Sequence, residues 1–446
     1  MFNQKFTETK KRESRRSLLI AAALCAAVFP TVAVGQEAPE VPQVEIRASM
    51  MPYFDHSQAS IGLEKGWFDE VGITFLPDGK GTMLTSADQA MGIAAAGTQD
   101  VMAGLPQLFM PGFNNLPKMQ LFSLGAYFKG FAIMAQPDAG YRSYAEFIAD
   151  GLAPEEALQQ SIAQMRGKSF AYPAEAAIKG FIDLALERGG VSLDEMSTVV
   201  APDAETTRLM ESDRADFQVG GVPSRLTLQV NGYKPIVTSG DLASAASPSA
   251  DSDDLRAVLY AGWMATDEWI ENNRDTALRM VSVSMRINQL IKDDPSEALA
   301  IHVPYLNSAA GTDFDTATGE VVYRDLNPYL TFEEQKAVFD DPDNALNIEY
   351  VTGSAIKLYE EQGIFEVGQY SWKDFVVADD LYHELERLKA EADDLLERIE
   401  VASANADEAA KQQAAELTSK ANAFYDAFDF LDAVAYAKAA LDGLGG

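Results

Sequence analysis

The chain has 446 residues, 68 of them acidic and 35 basic, so its formal net charge at pH 7 is −33. A surface this acidic repels nucleic acid and anionic membrane, which excludes nucleic acid as a partner. A chain of this length can bury two hydrophobic cores and still leave residues for an additional element.

Residues 1–35 have the pattern of an export signal. A basic start is followed by the apolar run Leu18 to Phe29 and by small residues up to Gly35, where we predict cleavage before a periplasmic mature protein. The run is too short to span a bilayer. Paired arginines within residues 14–19 resemble a twin-arginine signal, so the twin-arginine and Sec routes are both open. The only cysteine, Cys25, would leave with this signal, so no disulfide or cysteine metal site is expected.

Short apolar runs alternate with amphipathic segments from residue 44 to about residue 365. This alternation predicts α/β lobes with mostly parallel sheets. The predicted strands are 44–48, 73–76, 100–103, 120–126, 131–135, 169–173, 196–201, 216–219, 234–238 and 256–264, and helices are predicted at 54–64, 83–95, 274–292 and before residue 187.

The order of these elements predicts two lobes joined by crossovers. We expect residues 36–135 to form the first part of lobe 1 and residues 136–240 to form lobe 2, including a polar insertion at 138–166. Residues 241–375 would return to lobe 1, and an acidic loop marks that return. A single, larger doubly wound sheet is the alternative.

Residues 376–446 differ in kind, because their apolar positions recur at alternating steps of three and four. These positions are Leu381, Leu385, Leu388, Ala392, Leu395 and Ile399, then Leu417, Ala421, Phe424, Phe428 and Leu431. The pattern predicts a helical hairpin with coiled-coil-like packing. The hairpin would cover the main body or, alternatively, serve dimerisation or partner docking.

The segment from Ile61 to Ile73 combines a helix end, a glycine stop at Gly66 and an aromatic pair, Trp67 and Phe68. Gly66 suits a left-handed helix cap, and the aromatic residues can fold back onto the helix. In this position the segment resembles the "EKGYF…GL" signature of solute-binding proteins of ABC importers, in the group serving nitrate, sulfonate, taurine and thiamine precursors.

This resemblance implies a two-lobed, type II-like binding-protein fold with hinge crossovers over about residues 44–365. It also implies that a small molecule is captured by lobe closure and delivered to an ABC permease and its ATPase at the inner membrane. One alternative is a periplasmic receptor for a membrane sensor, with residues 376–446 as its docking arm. Another is an enzyme resembling the pyrimidine synthase of the thiamine-precursor group, which the lack of cysteine after Cys25 disfavours.

The sequence contains no P-loop, no nucleophile elbow and no zinc-ligand spacing. The three histidines, His56, His302 and His383, are too scattered to predict a metal site or a catalytic triad. We therefore expect no catalytic residue, metal or cofactor. His56, beside Asp55, is either near the ligand or a structural histidine.

A binding protein of this kind should hold its ligand at the carboxyl ends of strands and at the helix starts that follow them. Aromatic side chains near those ends would supply apolar walls, although each is equally suited to a core. The predicted ligand-binding residues are Ser49, Tyr53, Phe54, Thr98, Gln99, Tyr172, Glu175, Gly221 and Trp263.

Glu175 carries the most specific prediction, because it opens a helix directly after a strand. A carboxylate there occupies the anion-binding end of the helix and repels a second anion. If Glu175 faces the cleft, the ligand should be amine- or aminopyrimidine-like; if it only favours the helix dipole, an anion such as sulfonate, nitrate or a carboxylate stays possible. Tyr172 and Glu175 are similar to a "Y-x-G-E" run of the thiamine-precursor branch, with Ala174 in place of its glycine.

Overall fold

The computed structural model describes residues 39–84 and 87–445. The predicted export signal, its cleavage site and Cys25 lie outside these ranges. Among the helices of the described ranges, none combines the length and the apolar composition needed to cross a membrane.

Eleven strands occur in the described part of the chain, and they form two sheets. In chain order they are β1 Val44–Met50, β2 Ile73–Leu76, β3 Thr82–Met83, β4 Val101–Gly104, β5 Met119–Phe128, β6 Ala132–Ala135, β7 Ser169–Tyr172, β8 Ser197–Val200, β9 Phe217–Gly220, β10 Lys234–Thr238 and β11 Leu259–Thr266. The first sheet has the order β2-β1-β4-β11-β5, with β3 paired to β1, and the second has the order β10-β6-β9-β7-β8.

Helices cover both sheets and form the whole C-terminal region. They are α1 Ser57–Glu64, α2 Trp67–Glu70, α3 Ala87–Ala96, α4 Pro106–Phe109, α5 Tyr144–Ala149, α6 Pro154–Ala163, α7 Ala176–Gly189, α8 Asp203–Glu211, α9 Val222–Val230, α10 Ser239–Ala243, α11 Asp267–Asn272, α12 Arg274–Asp293, α13 Pro295–Ala310, α14 Thr316–Val321, α15 Phe332–Asp340, α16 Ile348–Glu361, α17 Ala378–Asn405, α18 Glu408–Asp426 and α19 Phe430–Gly443. A 3-10 turn spans Phe54–His56 and a π-helical turn spans Val322–Leu326.

The two sheets confirm the predicted mixed α/β architecture, with one correction. Strand β6 lies in the second sheet, so the chain crosses between residues 128 and 132, and residues 132–135 do not belong to the first lobe as predicted. Both sheets are mixed: three of the five pairings between described strands in the first sheet and two of the four in the second are parallel, so neither sheet is wholly parallel. Strand β11 runs antiparallel to β4 and β5, and β6 runs antiparallel to β9 and β10. These are the two strands at which the chain passes from one sheet to the other: β6 follows β5 of the first sheet, and β11 follows β10 of the second.

One local expectation of the sequence changes in the structure. Met83 pairs with Met50 in a short parallel strand, so the helix expected from residue 83 begins at Ala87 instead. The polar insertion at 138–166 contains α5 and α6, which pack on α7 and β10. The insertion is therefore part of the second sheet's helical cover.

The segment from Ile61 to Ile73 fastens the first helix to the first sheet. Gly66 adopts a left-handed conformation with φ of 69°, as its position predicts. The Phe68 ring lies against Gly62, where a Cβ would overlap it, and against Phe75 with ring centroids 4.5 Å apart. This packing holds the C-terminal half of α1 and the short helix α2 against β2.

The C-terminal region is a helical extension, as expected, but it contains three helices rather than the two of a hairpin. The apolar pattern predicted one continuous helix through Phe428, whereas Phe428 has φ of 63° and Asp429 starts a new helix by accepting a hydrogen bond from Asp432 N. Helix α17 packs on β5, and α19 packs on α12. The extension therefore covers the main body.

Candidate functional site

A cavity of about 60 Å³ lies where the two sheets face each other. It is bounded by loops that follow strands of both sheets and by the starts of the next helices. Its lining residues are Met51, Tyr53, Phe54, Asp55, Leu105, Leu108, Phe128, Phe131, Glu175, Ala177, Ile178, Asp203, Gly221, Val222, Pro223, Leu259 and Asn327. This is the place where α/β folds bind small molecules.

The first wall is the turn that follows β1. Tyr53, Phe54 and Asp55 come three to five residues after the strand ends; Tyr53 caps the 3-10 turn, and Phe54 and Asp55 are its first two residues. Buried hydroxyl groups hold this turn in place: the Tyr329 hydroxyl donates to the Phe54 carbonyl at 2.8 Å, and the Ser57 hydroxyl donates to the same oxygen at 2.6 Å. The wall is therefore preorganised by hydrogen bonds.

His56 lies behind this wall and does not line the cavity. Its Nδ1 accepts a hydrogen bond from the Met51 backbone N–H at 2.9 Å, and its ring packs edge-on against Tyr53 with centroids 5.7 Å apart. Burial lowers the pKa of His56, while the adjacent Asp55 opposes that shift. His56 is thus a neutral structural residue that supports Tyr53.

The second wall consists of three helix starts, which follow β7, β8 and β9 of the second sheet. Glu175 is the N-cap of α7, Asp203 is the first residue of α8, and Gly221 is the N-cap of α9. The Glu175 side chain makes no capping hydrogen bond to its own helix. Three positive helix ends therefore meet at the cavity, and two of them carry a carboxylate.

Asp203 makes the most specific contacts in this wall. Its carboxylate accepts hydrogen bonds from the Ser224 hydroxyl and from the Gly221 backbone N–H, at the start of α9. Oδ1 of Asp203 is buried without a partner in the described ranges. Gly220 leaves room for this arrangement, because a Cβ there would overlap Oδ1. Burial raises the pKa of Asp203 to about 6, against the opposing effect of those two hydrogen bonds.

The charged side chains that line the cavity are all acidic. Burial raises the pKa of Asp55, and burial followed by the charges of Glu175, Asp203 and Asp55 raises the pKa of Tyr53. The Tyr53 hydroxyl thus interacts electrostatically with all three carboxyl groups. Among the described residues that line the cavity, none is lysine, arginine or histidine. Such a site favours a ligand that brings positive charge or hydrogen-bond donors.

Aromatic rings form much of the remaining surface. Tyr53 and Phe54 belong to the first wall, while Phe128 and Phe131 flank the crossover between the sheets and contact each other edge-on with centroids 4.6 Å apart. Rings combined with carboxylates suit an organic cation, because the ring face attracts positive charge.

Asn327 is the lining residue with the least satisfied side chain. It is 0% exposed, and neither its Nδ2 nor its Oδ1 has a hydrogen-bond partner within the described residues. It follows the π-helical turn directly, and its backbone N–H donates to the Val322 carbonyl at 2.7 Å. π-helical turns are rare and occur often at functional sites.

Four of the predicted ligand-binding residues, Tyr53, Phe54, Glu175 and Gly221, meet at the cavity. The others do not line it. Ser49 is fully buried within β1, Tyr172 ends β7 and packs on Phe170, and Trp263 is buried between Phe68 and Phe75 in the core. Thr98 and Gln99 precede β4, so they lie at the amino end of that strand, away from the edge where the cavity forms.

Asp55, Asp203 and Asn327 are lining residues that the sequence prediction omitted. Asp203 follows a predicted strand and starts a helix, as Glu175 does, so the rule that selected Glu175 would also have selected Asp203. Asn327 has no such signal, because irregular turns leave no periodic pattern.

One group of possible metal ligands occurs among the described residues, and it lies on the surface. It comprises Asp340, His383 and Glu386. Lys336 donates to Glu386 Oε1 at 2.7 Å and ion-pairs with Asp340, so a cation of the chain already neutralises these carboxylates. The arrangement is that of an exposed ion-pair network.

The fold defined by these two sheets is that of periplasmic solute-binding proteins of ABC importers. Similar solved structures include the periplasmic protein SsuA of a sulfonate ABC transporter from Methylobacillus flagellatus, with a TM-score of 0.54 and 12% identity over 78% of this chain and 95% of that one. The alkanesulfonate-binding protein SsuA of Xanthomonas axonopodis, bound to MOPS, has a TM-score of 0.52 and 11% identity over 76% of this chain and 99% of that one.

The periplasmic nitrate-binding protein NrtA of Synechocystis has a TM-score of 0.51 and 14% identity, over 78% of this chain and 89% of that one. No protein-family model and no curated protein sequence matches the chain. At these identities the similarity establishes the fold.

Proposed function

We propose that the protein is the extracytoplasmic solute-binding component of an ABC-type importer and that its ligand is a small organic molecule with a cationic or donor-rich edge, amine- or aminopyrimidine-like. The fold supports the general role, and the cavity between the sheets supports the site. The ligand would pass to a membrane permease whose ATPase drives import, and no bond chemistry would take place on the binding protein.

The observation that carries the ligand class is the position of Asp203. The start of a helix together with a nearby hydroxyl group is a natural site for sulfonate, nitrate or phosphate. Here the backbone N–H of Gly221 and the hydroxyl of Ser224 donate to the chain's own carboxylate instead. A second anion would compete with Asp203 for these donors and would face Asp55 and Glu175 as well.

A cation would use the same groups favourably. The carboxylates would accept its N–H groups, and charge-assisted hydrogen bonds of this kind are about twice as strong as neutral ones. Tyr53, Phe54 and the Phe128–Phe131 pair would enclose its apolar part. Because these groups come from both sheets, a bound ligand would contact both lobes and favour the closed arrangement.

Thermal unfolding with a ligand panel tests this proposal. We expect ethylamine or 4-aminopyrimidine to stabilise the purified protein, and ethanesulfonate and nitrate to leave it unchanged. Glu175→Gln should weaken cation binding by about tenfold, because it removes one charged acceptor. Glu187→Gln, an exposed carboxylate on the same helix, is the matched control and should have no effect.

Two outcomes would contradict the proposal. Stabilisation by ethanesulfonate or nitrate alone would make the ligand an anion, as in the sulfonate- and nitrate-binding proteins that share the fold. Equal binding by the Glu175→Gln variant and the wild-type protein would remove Glu175 from the site.

A further inference from the structure

The side chain of Asn327 combines three properties that no other described lining residue shares. It is fully buried, it faces the cavity, and both polar atoms of its amide lack a partner in the described ranges. Leaving buried amide groups unsatisfied costs free energy, so such a residue points to a ligand that satisfies it.

The position of Asn327 is fixed relative to the first wall of the cavity. Tyr323 lies within the π-helical turn, and its hydroxyl donates to the Ser57 hydroxyl at 2.8 Å. Tyr329 lies two residues after Asn327 and donates to the Phe54 carbonyl at 2.8 Å. Both tyrosines are buried. Asn327 is thus held between two anchors that tie its turn to Tyr53, Phe54 and Asp55.

The chemistry of Asn327 complements that of the carboxylates. When ionised, Asp55, Glu175 and Asp203 can only accept hydrogen bonds. Among the described lining side chains, the donors are then the Asn327 amide and the Tyr53 hydroxyl. A simple ammonium ion would satisfy the carboxylates and leave the Nδ2 donors of Asn327 unpaired. A ligand with an acceptor beside its cationic group would satisfy both.

We propose that Asn327 selects, among organic cations, those that carry a hydrogen-bond acceptor next to the charged donor group. The acceptor would be an amide oxygen or a ring nitrogen, and Nδ2 of Asn327 would donate to it while a carboxylate accepts from the cation. This inference rests on the proposed binding of cations in the cavity and adds the requirement for the acceptor.

Matched pairs of probes test the requirement by titration calorimetry at neutral pH. 2-(Aminomethyl)pyridine and benzylamine share one shape and differ in a ring nitrogen, and glycinamide and propylamine differ in an amide. We expect the acceptor-bearing member of each pair to bind the wild-type protein at least about tenfold more tightly, which corresponds to about 1.4 kcal/mol.

Asn327→Leu removes both amide atoms and keeps a similar volume. We expect it to reduce the preference within each pair to less than about threefold, mainly by weakening the acceptor-bearing member. Asn231→Leu, at an exposed asparagine after α9, is the matched control and should keep the wild-type preference. The wild-type comparison stands alone if the Asn327 variant does not fold.

Equal binding of the two members of each pair by the wild-type protein would overturn the inference and leave the proposed cation site intact. The same preference in the Asn327→Leu variant would also overturn it. If no member of either pair binds, the cation site and this inference fail together.

Discussion

At the scale of single residues, Asp203 shows how a residue of the proposed binding site can lower the stability of the folded protein. Its carboxylate is enclosed at the start of α9, and burial raises its pKa from 3.8 to about 6. At neutral pH the folded protein therefore keeps a charge that would be better solvated in the unfolded chain. A cationic ligand would remove this penalty.

Asp203→Asn should stabilise the ligand-free protein and abolish tight binding of a cation. Between about pH 4 and pH 6 the folded state binds more protons at Asp203 than the unfolded state does, so stability falls as pH rises through this window. The gain at neutral pH should be on the order of 2–3 kcal/mol and should vanish below about pH 4. Thermal unfolding of both proteins across this pH range measures it; a variant less stable than the wild type at pH 7 would contradict the argument.

The predicted ligand-binding residues also show what could and could not be predicted from the sequence. Tyr53, Phe54, Glu175 and Gly221 were predicted because each follows an apolar run that had to be a strand. Trp263 was predicted for a different reason, as an aromatic residue that could form an apolar wall, but residues along β11 alternate between faces, and its ring packs against Phe68 and Phe75. A single sequence does not state which face of a strand meets the ligand.

At the scale of elements, the C-terminal extension is fastened to the body by a buried ion pair. Arg279 on α12 donates to Asp432 on α19 through Nε at 3.0 Å and Nη2 at 2.9 Å, and both side chains are less than 10% exposed. Asp429 is buried next to this pair, and burial together with the charge of Asp432 raises the pKa of Asp429 to about 8. Three ionisable groups thus share one site between α12 and α19.

Arg279→Met should destabilise the protein strongly, because it leaves the Asp432 carboxylate buried without its cation. Removing one partner of a buried pair costs about 3–5 kcal/mol. The double variant Arg279→Met with Asp432→Leu should recover much of this loss, since neither charge remains unpaired. Lys420→Ala breaks the exposed pair with Glu416 and should change stability by less than about 1 kcal/mol. Urea unfolding compares the four proteins, and a mild Arg279→Met would contradict the expected cost.

The boundary between α18 and α19 could not be predicted from the sequence pattern. The positions Phe424, Phe428 and Leu431 continue a helical spacing, yet the chain turns at Phe428 through a left-handed conformation that glycine or asparagine usually adopts. Periodicity records which side of a helix is apolar, and it does not record a break between two helices that share one apolar side. The assignment of β6 to the second sheet likewise depends on pairing with β9 and β10, which are distant in the sequence.

At the scale of the whole molecule, the cavity depends on two sheets that are joined by crossovers after β5 and before β11. The crossover after β5 is closely packed: Gly130 lies against Val222, where a Cβ would overlap the side chain, and Arg225 donates to the Gly130 carbonyl at 3.1 Å. The crossover thus contacts the start of α9, which also lines the cavity. Movement at the crossover would therefore displace Val222.

Ligand-induced closure should appear in amide hydrogen exchange. The tightest-binding amine from the ligand panel should slow exchange in residues 53–57 of the first wall and in residues 221–225 of the second wall together. The Glu175→Gln variant at the same ligand concentration should lose protection in both segments. Protection confined to one wall would mean that the ligand binds without joining the sheets.

The carboxylate that occupies the start of α9 has a consequence beyond ligand choice. Sulfate and phosphate are common inorganic anions, and a helix start with a free hydroxyl group beside it would bind them. The Asp203 carboxylate accepts hydrogen bonds from the Gly221 N–H and the Ser224 hydroxyl, so it competes with any free anion for these donors. Because it is part of the chain, it is always present at a high effective concentration. This internal carboxylate would compete with inorganic anions, so the organic cation that we propose as the ligand would meet a site that common salts have not already occupied.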